Sequence, residues 1–436
     1  MQANTEGFAE LGQSVSRCTP EYVAQITSVT LDLIVAAART YASGQRAGIY
    51  YAMGITQHST GVDTVQALSN LALITGNIGK EFAGLNPLRG QINVQGACDI
   101  GALPDVFPGC QSVDSEASLA KFEKAWGSKL SSRRGVRATE VGDAVARGEI
   151  RALYIMGENI MVSDPDVTHV EKTLRALDFL VVQDIFLTET AALADVVLPA
   201  ACFAEKDGTF TNTERRVQRL VKAVNPPGRA RPDWEIVSEL IERLGGEASY
   251  DGPEDVMREI ASVTPQYGGI SYHRIADAGL QWPCPDENHA GTKYLHSTGI
   301  ARGKGLLMPV GHSEAQERTD ADYPLILTTG RILYHYHTRS IPGRVDGLQQ
   351  LAPDSFVEIG PETAGQLCID DGCLVEVSSR RAIIETTARV TSRIKQGVVF
   401  IPFHFAKGNA NVLTNVALDP VAQYLSSKWP RCAFAN

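Results

Sequence analysis

Short apolar runs alternate with an amphipathic segment in the middle of the chain, and this pattern predicts an α/β fold. Residues 150–157 (IRALYIMG) and 178–184 (DFLVVQD) have the composition of buried strands, and residues 169–177 (HVEKTLRAL) between them have helical spacing. Residues 194–201 (ADVVLPAA) form another short apolar run. Strand–helix–strand spacing of this kind indicates a parallel sheet with right-handed crossovers. We therefore expect an α/β domain built on a parallel sheet here.

The pattern of the first ninety residues predicts two helices, one strand and a further helix, in this order. Two helices are expected after Thr19 and Thr30, because Thr is a favourable N-cap residue. Residues 47–53 (AGIYYAM) are a continuous apolar run, which is typical of a strand covered on both faces. The helical spacing that follows at residues 61–75 is expected to end at Gly76.

The last part of the chain changes to short β-type runs. Turns and one short helical segment separate them, so a closed barrel would hide their edges. The five predicted strands lie in residues 323–330, 355–360, 373–379, 382–390 and 397–403. The expected domains are residues 1–90, 91–315 and 320–436.

Residues 86–109 (NPLRGQINVQGACDIGALPDVFPG) show neither helical periodicity nor strand alternation. A segment of this length without regular structure is usually either disordered or functional. Its content of Val, Ile, Leu and Phe argues against disorder. The segment carries one cation, Arg89, and we expect it to be a functional loop.

Composition narrows the classes of function. The 436-residue chain is 44% hydrophobic and has a formal net charge of -10 without a Lys/Arg run, which disfavours nucleic-acid and anionic-membrane binding. No apolar stretch is long enough for a membrane span. The eight cysteines include no C-x-x-C pair, which argues against a zinc or iron–sulfur site in this chain. Free thiols and the lack of an export signal favour the cytoplasm.

Polar residues follow the predicted strands, at the edge where open parallel sheets bind ligands. Gln57 and Asn159 lie beside glycines, Asp184 ends a strand, and Lys206 could neutralise a phosphate. The alternatives are an ordinary capped turn at Gln57 and, for Asp184, a helix cap instead of a ribose ligand. Arg215 reads as part of a solvated helix start. No G-x-G-x-x-G sequence precedes Asp184, which disfavours a nicotinamide cofactor.

Residues 328–341 (TTGRILYHYHTRSI) place donors and aromatic rings at the end of the first predicted barrel strand. Such a set suits a nucleotide or a pterin. If the segment is extended, His335 and His337 face the same side. A zinc site would need a third ligand, which the sequence does not specify.

Six long stretches, in this order, resemble the catalytic subunits of molybdenum- or tungsten-dependent formate dehydrogenases in the dimethyl sulfoxide reductase superfamily. They are MGITQHSTG (53–61), ITGNIGKEFAGLNPLRGQINVQGACDIGALPDVFPG (74–109), MGENIMVSDPD (156–166), ADVVLPAACFAEKDGTFTNTERRVQR (194–219), LTTGRILYHYHTR (327–339) and VFIPFHFAKGNANVLTN (399–415). The resemblance implies parallel-sheet Rossmann-like domains, followed by a C-terminal double-psi β-barrel, around a bis-molybdopterin guanine dinucleotide cofactor with molybdenum or tungsten.

The resemblance also implies site residues. Arg89 would bind formate with Gln91 nearby, and a guanidinium suits this role because it is permanently charged and offers paired donors to a carboxylate. No metal ligand is assigned to this chain. The implied cofactor contacts are Met53, Gln57, Gly157, Asn159, Gln183, Asp184, Lys206, Asp233, Gly330, Arg331, Tyr334, His335, His337, Thr338, Phe403, Asn411 and Lys428.

The chain also departs from the family pattern. The four-cysteine iron–sulfur motif and the metal-ligating Cys or selenocysteine are not found, and Ile160 replaces a proline. We therefore expect the C-terminal part of a catalytic subunit, either one half of a split enzyme or the product of a frame interrupted at a selenocysteine codon. An N-terminal half or partner would carry the cluster and the ligand, electron-transfer subunits would take the electrons, and the isolated chain would not oxidise formate.

Three other interpretations remain open at this point. The first is another molybdopterin oxidoreductase, such as a nitrate reductase. The second is a non-catalytic subunit that binds the cofactor or acts as a scaffold. The third is a truncated, unstable fragment whose exposed apolar sheet would favour aggregation.

Overall fold

The computed structural model describes residues 4–164, 166–415, 417–423 and 431–435. Its α-helices are Phe8–Val15, Pro20–Thr27, Leu31–Ser43, Met53–Thr56, Gly61–Ile74, Val94–Asp99, Glu116–Trp126, Val141–Ala146, Ile160–Ser163, Val167–Arg175, Asp233–Arg243, Pro253–Val263, Asp346–Leu351 and Pro361–Gln366. Its strands are Thr5–Glu6, Gly48–Tyr51, Gly84–Pro87, Val106–Phe107, Gln111–Ser112, Ala152–Met156, Phe179–Asp184, Val196–Pro199, Gly208–Thr211, Arg216–Leu220, Leu280–Gln281, Gly305–Leu306, Leu325–Gly330, Phe356–Ile359, Leu374–Ser378, Ile383–Val390, Val398–Pro402 and Arg431–Ala435.

The predicted parallel sheet is present and has three strands. Phe179–Asp184 lies between Ala152–Met156 and Val196–Pro199, and both pairings are parallel. The helix Val167–Arg175 makes the crossover, and Leu174 packs with the buried strand residues of this sheet. Because all three strands run the same way, their carboxyl ends meet at one edge, where ligands bind in such sheets.

One face of this sheet is open, which corrects the expectation of buried strands. Tyr154, Met156 and Phe179 are exposed, whereas Val182 in the central strand is fully buried. Side chains alternate between the two faces of a strand, so the residues between the exposed ones face the helix Val167–Arg175. The apolar run predicted the strands correctly but did not indicate which face would remain uncovered.

The two helices, the strand and the following helix predicted for the N-terminal region are present, and the structure adds the helix Phe8–Val15 and the strand Gly84–Pro87. Gly48–Tyr51 pairs in parallel with Gly84–Pro87. The helix Gly61–Ile74 lies between these two strands in the chain, and Gly76 follows it with a φ of 68°. This left-handed conformation suits glycine at a helix end. The strand is not covered on both faces as predicted, because Tyr50 is exposed.

Two loop predictions are wrong. Residues 86–109 contain the helix Val94–Asp99, which at six residues is too short to show a helical period in the sequence. Arg215 does not begin a helix. It lies in the turn of a β-hairpin in which Gly208–Thr211 pairs with Arg216–Leu220.

The C-terminal region forms a closed six-stranded barrel. The five predicted strands are all present, and Arg431–Ala435 adds a sixth that the sequence pattern did not predict. Two of its pairings are parallel, Leu325–Gly330 with Val398–Pro402 and Phe356–Ile359 with Ile383–Val390. Alternate inward side chains fill its interior, so this fold has a core of its own.

Among the described residues, no single helix has both the length and the apolar character needed to cross a membrane. The helices Pro20–Thr27 and Leu31–Ser43 satisfy that length and composition test only when taken together, and the chain bends by 114° between them.

Leu327 and Leu374 provide a matched test of the barrel core. Leu327 is fully buried, whereas Leu374 is 63% exposed on another barrel strand. We expect Leu327→Ala to lower the free energy of unfolding by about 2–5 kcal/mol, because it leaves a cavity. We expect Leu374→Ala to change it by less than about 0.5 kcal/mol. Urea unfolding followed by circular dichroism measures both, and equal losses would contradict this account of the core.

Candidate functional site

Four predicted site residues meet at the carboxyl edge of the three-stranded sheet. The backbone N–H of Gly157 donates to the carbonyl oxygen of Gln183 (2.8 Å). The buried Gln183 side chain donates through Nε2 to Oδ1 of Asp233 (2.6 Å) and accepts a hydrogen bond from the Tyr154 hydroxyl. Lys206 pairs with the other carboxylate oxygen of Asp233. These contacts fix the orientation of the Gln183 amide, because its acceptor faces Tyr154 and its donor faces Asp233.

Asn159 is buried beside this edge, and its side chain binds residues 189 and 190. Its Oδ1 accepts hydrogen bonds from the backbone N–H (3.2 Å) and hydroxyl (2.9 Å) of Thr190. Its Nδ2 donates to Oε2 of Glu189 (2.8 Å). Among the described residues, the second hydrogen of this amide has no acceptor, so the side chain has a donor available for a ligand.

Asp184 ends the central strand and its carboxylate is half-buried. Its Oδ1 accepts a hydrogen bond from the backbone N–H of Ile185 (2.6 Å). Burial raises the pKa of this carboxyl group above its ordinary value. Asp184 does not cap a helix, because the chain continues in a turn.

Residues 331–341, the barrel tip segment, follow the strand Leu325–Gly330 and are not extended. His337 has a φ of 47°, and turns replace the strand. Nε2 of the buried His335 bonds the carbonyl oxygen of Ala352 at 2.6 Å. The extended conformation in which His335 and His337 would face the same side is therefore not the one observed, because the chain turns at this point.

His404, which the sequence analysis did not select, holds the barrel tip segment. Its Nε2 accepts a hydrogen bond from the backbone N–H of Ile332 (3.0 Å). Its Nδ1 donates to the carbonyl oxygen of His337 (2.6 Å). One nitrogen accepts and the other donates, so the ring is neutral. Burial lowers the pKa of His404 to about 4, which agrees with a neutral ring.

Arg331 brings the barrel to the Arg89 loop, which we define as residues 88–93. A Cβ placed on Gly90 would lie 2.5 Å from Nη1 of Arg331, so the guanidinium rests against this backbone. The same guanidinium lies 5.8 Å from the ring centroid of Phe403. Arg331, which follows the strand end at Gly330, therefore places its guanidinium beside the Arg89 loop.

Arg89 is exposed, and both its backbone and its side chain are held. Its backbone N–H donates to Oγ1 of Thr213 (3.2 Å), and its Nε donates to Oε1 of Gln95 (3.3 Å). Within the described residues, its two Nη groups make no hydrogen bond. Gln91 is half-buried two residues further on. The guanidinium can therefore present paired donors to an anion while Nε is already engaged.

Asn411 joins the barrel to the sheet. Its Nδ2 donates to the carbonyl oxygens of Val162 and Ser163, each at 3.0 Å. Asp164 is the next residue in the chain, and its carboxylate acts on the imidazole of His337. Burial lowers the pKa of His337 and outweighs this carboxylate, which raises it. The barrel tip segment therefore lies near the loop that follows Ala152–Met156.

The remaining predicted residues are more dispersed. Met53 and Gln57 follow the strand Gly48–Tyr51, which belongs to a separate two-stranded sheet. Tyr334 is exposed, and the Thr338 hydroxyl bonds the Ser340 hydroxyl at 2.9 Å. Lys428 lies outside the described residues.

Residues 24–243 match the molybdopterin oxidoreductase family, and residues 325–429 match the molybdopterin dinucleotide binding domain. The chain belongs to the molybdopterin oxidoreductase family. The second match covers the strands of the barrel from Leu325–Gly330 to Val398–Pro402. The family assignment agrees with the resemblance found in the sequence.

The curated relatives of this family member include formate dehydrogenase subunits. The alpha subunit of an F420-dependent formate dehydrogenase from Methanocaldococcus jannaschii is 55% identical over 96% of this chain and 62% of that protein. The corresponding subunit 1 from Methanococcus maripaludis is 49% identical over 95% of this chain and 62% of that protein. Formate dehydrogenase H from Escherichia coli is 40% identical over 97% of this chain and 60% of that protein. The chain thus spans about three fifths of the length of these relatives.

A solved structure supports the fold. Acetylene hydratase from Pelobacter acetylenicus superposes with a TM-score of 0.77 at 19% identity, over 100% of this chain and 67% of that protein. At this identity the likeness concerns the fold alone. It agrees with the observed combination of parallel sheets and a barrel.

The polar groups of the site fit a molybdopterin dinucleotide. Oε1 of Gln57 and Nδ1 of His335 are buried and make no hydrogen bond within the described residues. Pterin and guanine rings carry N–H groups and acceptors that can satisfy such atoms. Arg331 is a cation near the Arg89 loop, whereas the charge of Lys206 is paired with Asp233. No group of three His, Cys, Asp or Glu side chains in the described residues has the arrangement of a metal site.

The neutral state of His404 predicts a pH dependence of barrel stability. The unfolded chain protonates this imidazole near its ordinary pKa of 6.5, whereas the folded chain does so only at about 4. The free energy of unfolding should therefore fall as the pH decreases from 6.5 to 4, by up to about 3 kcal/mol. Thermal unfolding between pH 4 and pH 8 measures this loss.

His404→Gln is the matched control for this measurement. A Gln amide can donate to the carbonyl of His337 and accept from the N–H of Ile332, but it does not titrate. The variant should remain folded and show a smaller loss of stability at low pH. An unchanged loss would assign the effect to other groups.

Proposed function

We propose that this chain forms the C-terminal part of the catalytic subunit of a formate dehydrogenase, which oxidises formate to carbon dioxide by two-electron transfer. The position of Arg89 carries the proposal. Its guanidinium is exposed, its Nη groups make no hydrogen bond within the described residues, and Arg331 of the barrel rests against the neighbouring Gly90. The names of the relatives in Methanocaldococcus jannaschii and Escherichia coli support formate as the substrate.

Arg89 would bind the formate carboxylate and orient its C–H bond. Two donors on one planar cation match the two oxygens of a carboxylate. Nε is engaged by Gln95, so the Nη groups remain for the substrate. Gln91 would lie beside the bound acid. Fixed orientation and fixed charge are the two contributions that this chain would make to catalysis.

A bis-molybdopterin guanine dinucleotide with molybdenum or tungsten would supply the two-electron redox chemistry when bound. Within the second α/β domain, Gly157, Asn159, Gln183, Asp184, Lys206 and Asp233 would hold a nucleotide arm. Met53 and Gln57 would contact the cofactor from the N-terminal domain. From the barrel, the contacting residues would be Gly330, Arg331, Tyr334, His335, His337, Thr338, Phe403, Asn411 and Lys428.

The proposed enzyme needs further components. An N-terminal half or partner subunit would contribute an iron–sulfur cluster and a Cys or selenocysteine ligand for the metal. Electron-transfer subunits would accept the electrons. The domain boundaries that we expect for this chain are residues 1–90, 91–315 and 320–436, and they remain a prediction.

Substitution of Arg89 tests the proposed substrate site. In the enzyme assembled with the rest of its catalytic subunit, Arg89→Ala should lower kcat/KM for formate about 100-fold or more, because it removes a fixed charge at the reacting centre. Arg89→Lys keeps the charge but loses the paired donors, so its loss should be smaller but substantial. Steady-state formate oxidation with an artificial electron acceptor provides the measurement.

Arg175→Ala is a suitable control, because Arg175 makes an exposed ion pair with Glu171 on a helix surface. It should leave formate oxidation unchanged. Wild-type activity of Arg89→Ala would favour a scaffold or cofactor-binding subunit. Reduction of nitrate without oxidation of formate would favour a nitrate reductase.

A further inference from the structure

Gln95 connects the exposed Arg89 to a buried carboxylate. The Nε of Arg89 donates to Oε1 of Gln95 (3.3 Å), and Nε2 of Gln95 donates to Oδ1 of Asp99 (2.8 Å). Gln95 and Asp99 both belong to the helix Val94–Asp99, four residues apart, so they lie on the same side of it. The side chain of Asp99 is almost completely buried.

A second set of hydrogen bonds reaches Asp99 from the protein interior. The hydroxyl of Tyr267 donates to Oδ2 of Asp99 (2.8 Å). The hydroxyl oxygens of Thr211 and Tyr267 lie 3.0 Å apart. Because Tyr267 uses its only hydrogen on Asp99, Thr211 is the donor of that bond. Both carboxylate oxygens of Asp99 are therefore occupied by donors.

The carboxyl group of Asp99 determines which way the Gln95 amide points, because both of its oxygens accept hydrogen bonds. Burial raises the pKa of this group above its ordinary value, and its two hydrogen-bond donors lower it. A carboxylate accepts hydrogen bonds and cannot donate them, so the NH2 group of Gln95 has to face Asp99. The carbonyl oxygen of Gln95 then faces Arg89, where it accepts from Nε. A neutral residue at position 99 would let the amide turn, and its NH2 group would then meet the guanidinium and displace it.

We propose that Gln95 and Asp99 are positioning residues that fix the Nε edge of Arg89 and thereby aim its two Nη groups at a one-carbon carboxylate. This inference rests on the proposed function and deepens it. Asp99 acts only through Gln95 and does not touch the substrate. The side chain of Tyr267 holds the far side of the carboxylate and has no direct part in orienting Gln95.

Variants on the two sides of Asp99 test this assignment. Asp99→Asn and Gln95→Met remove the directional link to Arg89, whereas Tyr267→Phe and Thr211→Val remove only the interior branch. In the assembled enzyme, the first pair should raise KM for formate about fivefold to tenfold with a smaller change in kcat, which corresponds to the loss of one charge-assisted hydrogen bond. The second pair should leave KM unchanged, even if it lowers the unfolding midpoint.

A measurement on the chain alone does not depend on cofactor or activity. The Nε–H resonance of Arg89 in the 15N-labelled chain, assigned by its disappearance in Arg89→Lys, should shift and exchange faster with water in Asp99→Asn and Gln95→Met. It should remain unchanged in Tyr267→Phe. Gln95 is half-buried, so Gln95→Met keeps the test available if Asp99→Asn does not fold.

The outcomes separate the two proposals. If Arg89→Ala lowers formate oxidation but Asp99→Asn and Gln95→Met change neither KM nor the resonance, the positioning role is wrong and the proposed function stands. If Tyr267→Phe raises KM as much as Gln95→Met does, the network has a general structural role and the inference is overturned. If Arg89→Ala leaves formate oxidation intact, the proposed function fails, and this inference fails with it.

Discussion

The two nitrogens of one buried imidazole bind the backbone of the barrel tip segment at two places, near its start and at its middle. His404 accepts from the amide of Ile332 and donates to the carbonyl of His337, so a neutral ring closes a stretch of backbone that has no regular structure of its own. Arg331 lies between the end of a barrel strand and Ile332, to which His404 is bound, and its guanidinium reaches Gly90. The barrel therefore meets the Arg89 loop next to a backbone turn that a buried, uncharged side chain holds.

The polar residues at the sheet edge divide into two kinds. Asp233 binds both Gln183 and Lys206, and Asn159 accepts hydrogen bonds from Thr190. Much of the hydrogen-bonding capacity of these side chains is therefore used within the protein. Such groups keep the edge rigid before any ligand arrives. The buried atoms that lack partners in the described residues, such as Oε1 of Gln57, are the ones that a bound dinucleotide would satisfy.

Periodicity in the sequence predicted the parallel sheet and five of the six barrel strands, because runs of five or more residues with one clear period outweigh local exceptions. It did not reveal the six-residue helix Val94–Asp99, which is shorter than two turns. Nor did it reveal the coiled path of residues 331–341, which is imposed by hydrogen bonds to His404, more than sixty residues away in the sequence.

The candidate site shows the same limit. Arg89 was identified from the resemblance and as the one cation of residues 86–109, and it remains a prediction as a substrate ligand. Gln95 and Asp99 stand in the same stretch of sequence, but their link to Arg89 requires knowledge of the helix that places them together. His404 follows Phe403 directly in the sequence. Only the structure shows its two hydrogen bonds to the backbone, and these distinguish it from an ordinary buried histidine.

The contact made by Asn411 has a consequence for how this family member can vary. Its amide binds the carbonyl oxygens of Val162 and Ser163, which every amino acid possesses. These two hydrogen bonds therefore place no demand on the side chains of Val162 and Ser163, and it is burial in the core that constrains Val162. An insertion or deletion would move both carbonyls out of reach, so the number of residues between the sheet and this anchor is constrained more strongly than their identity.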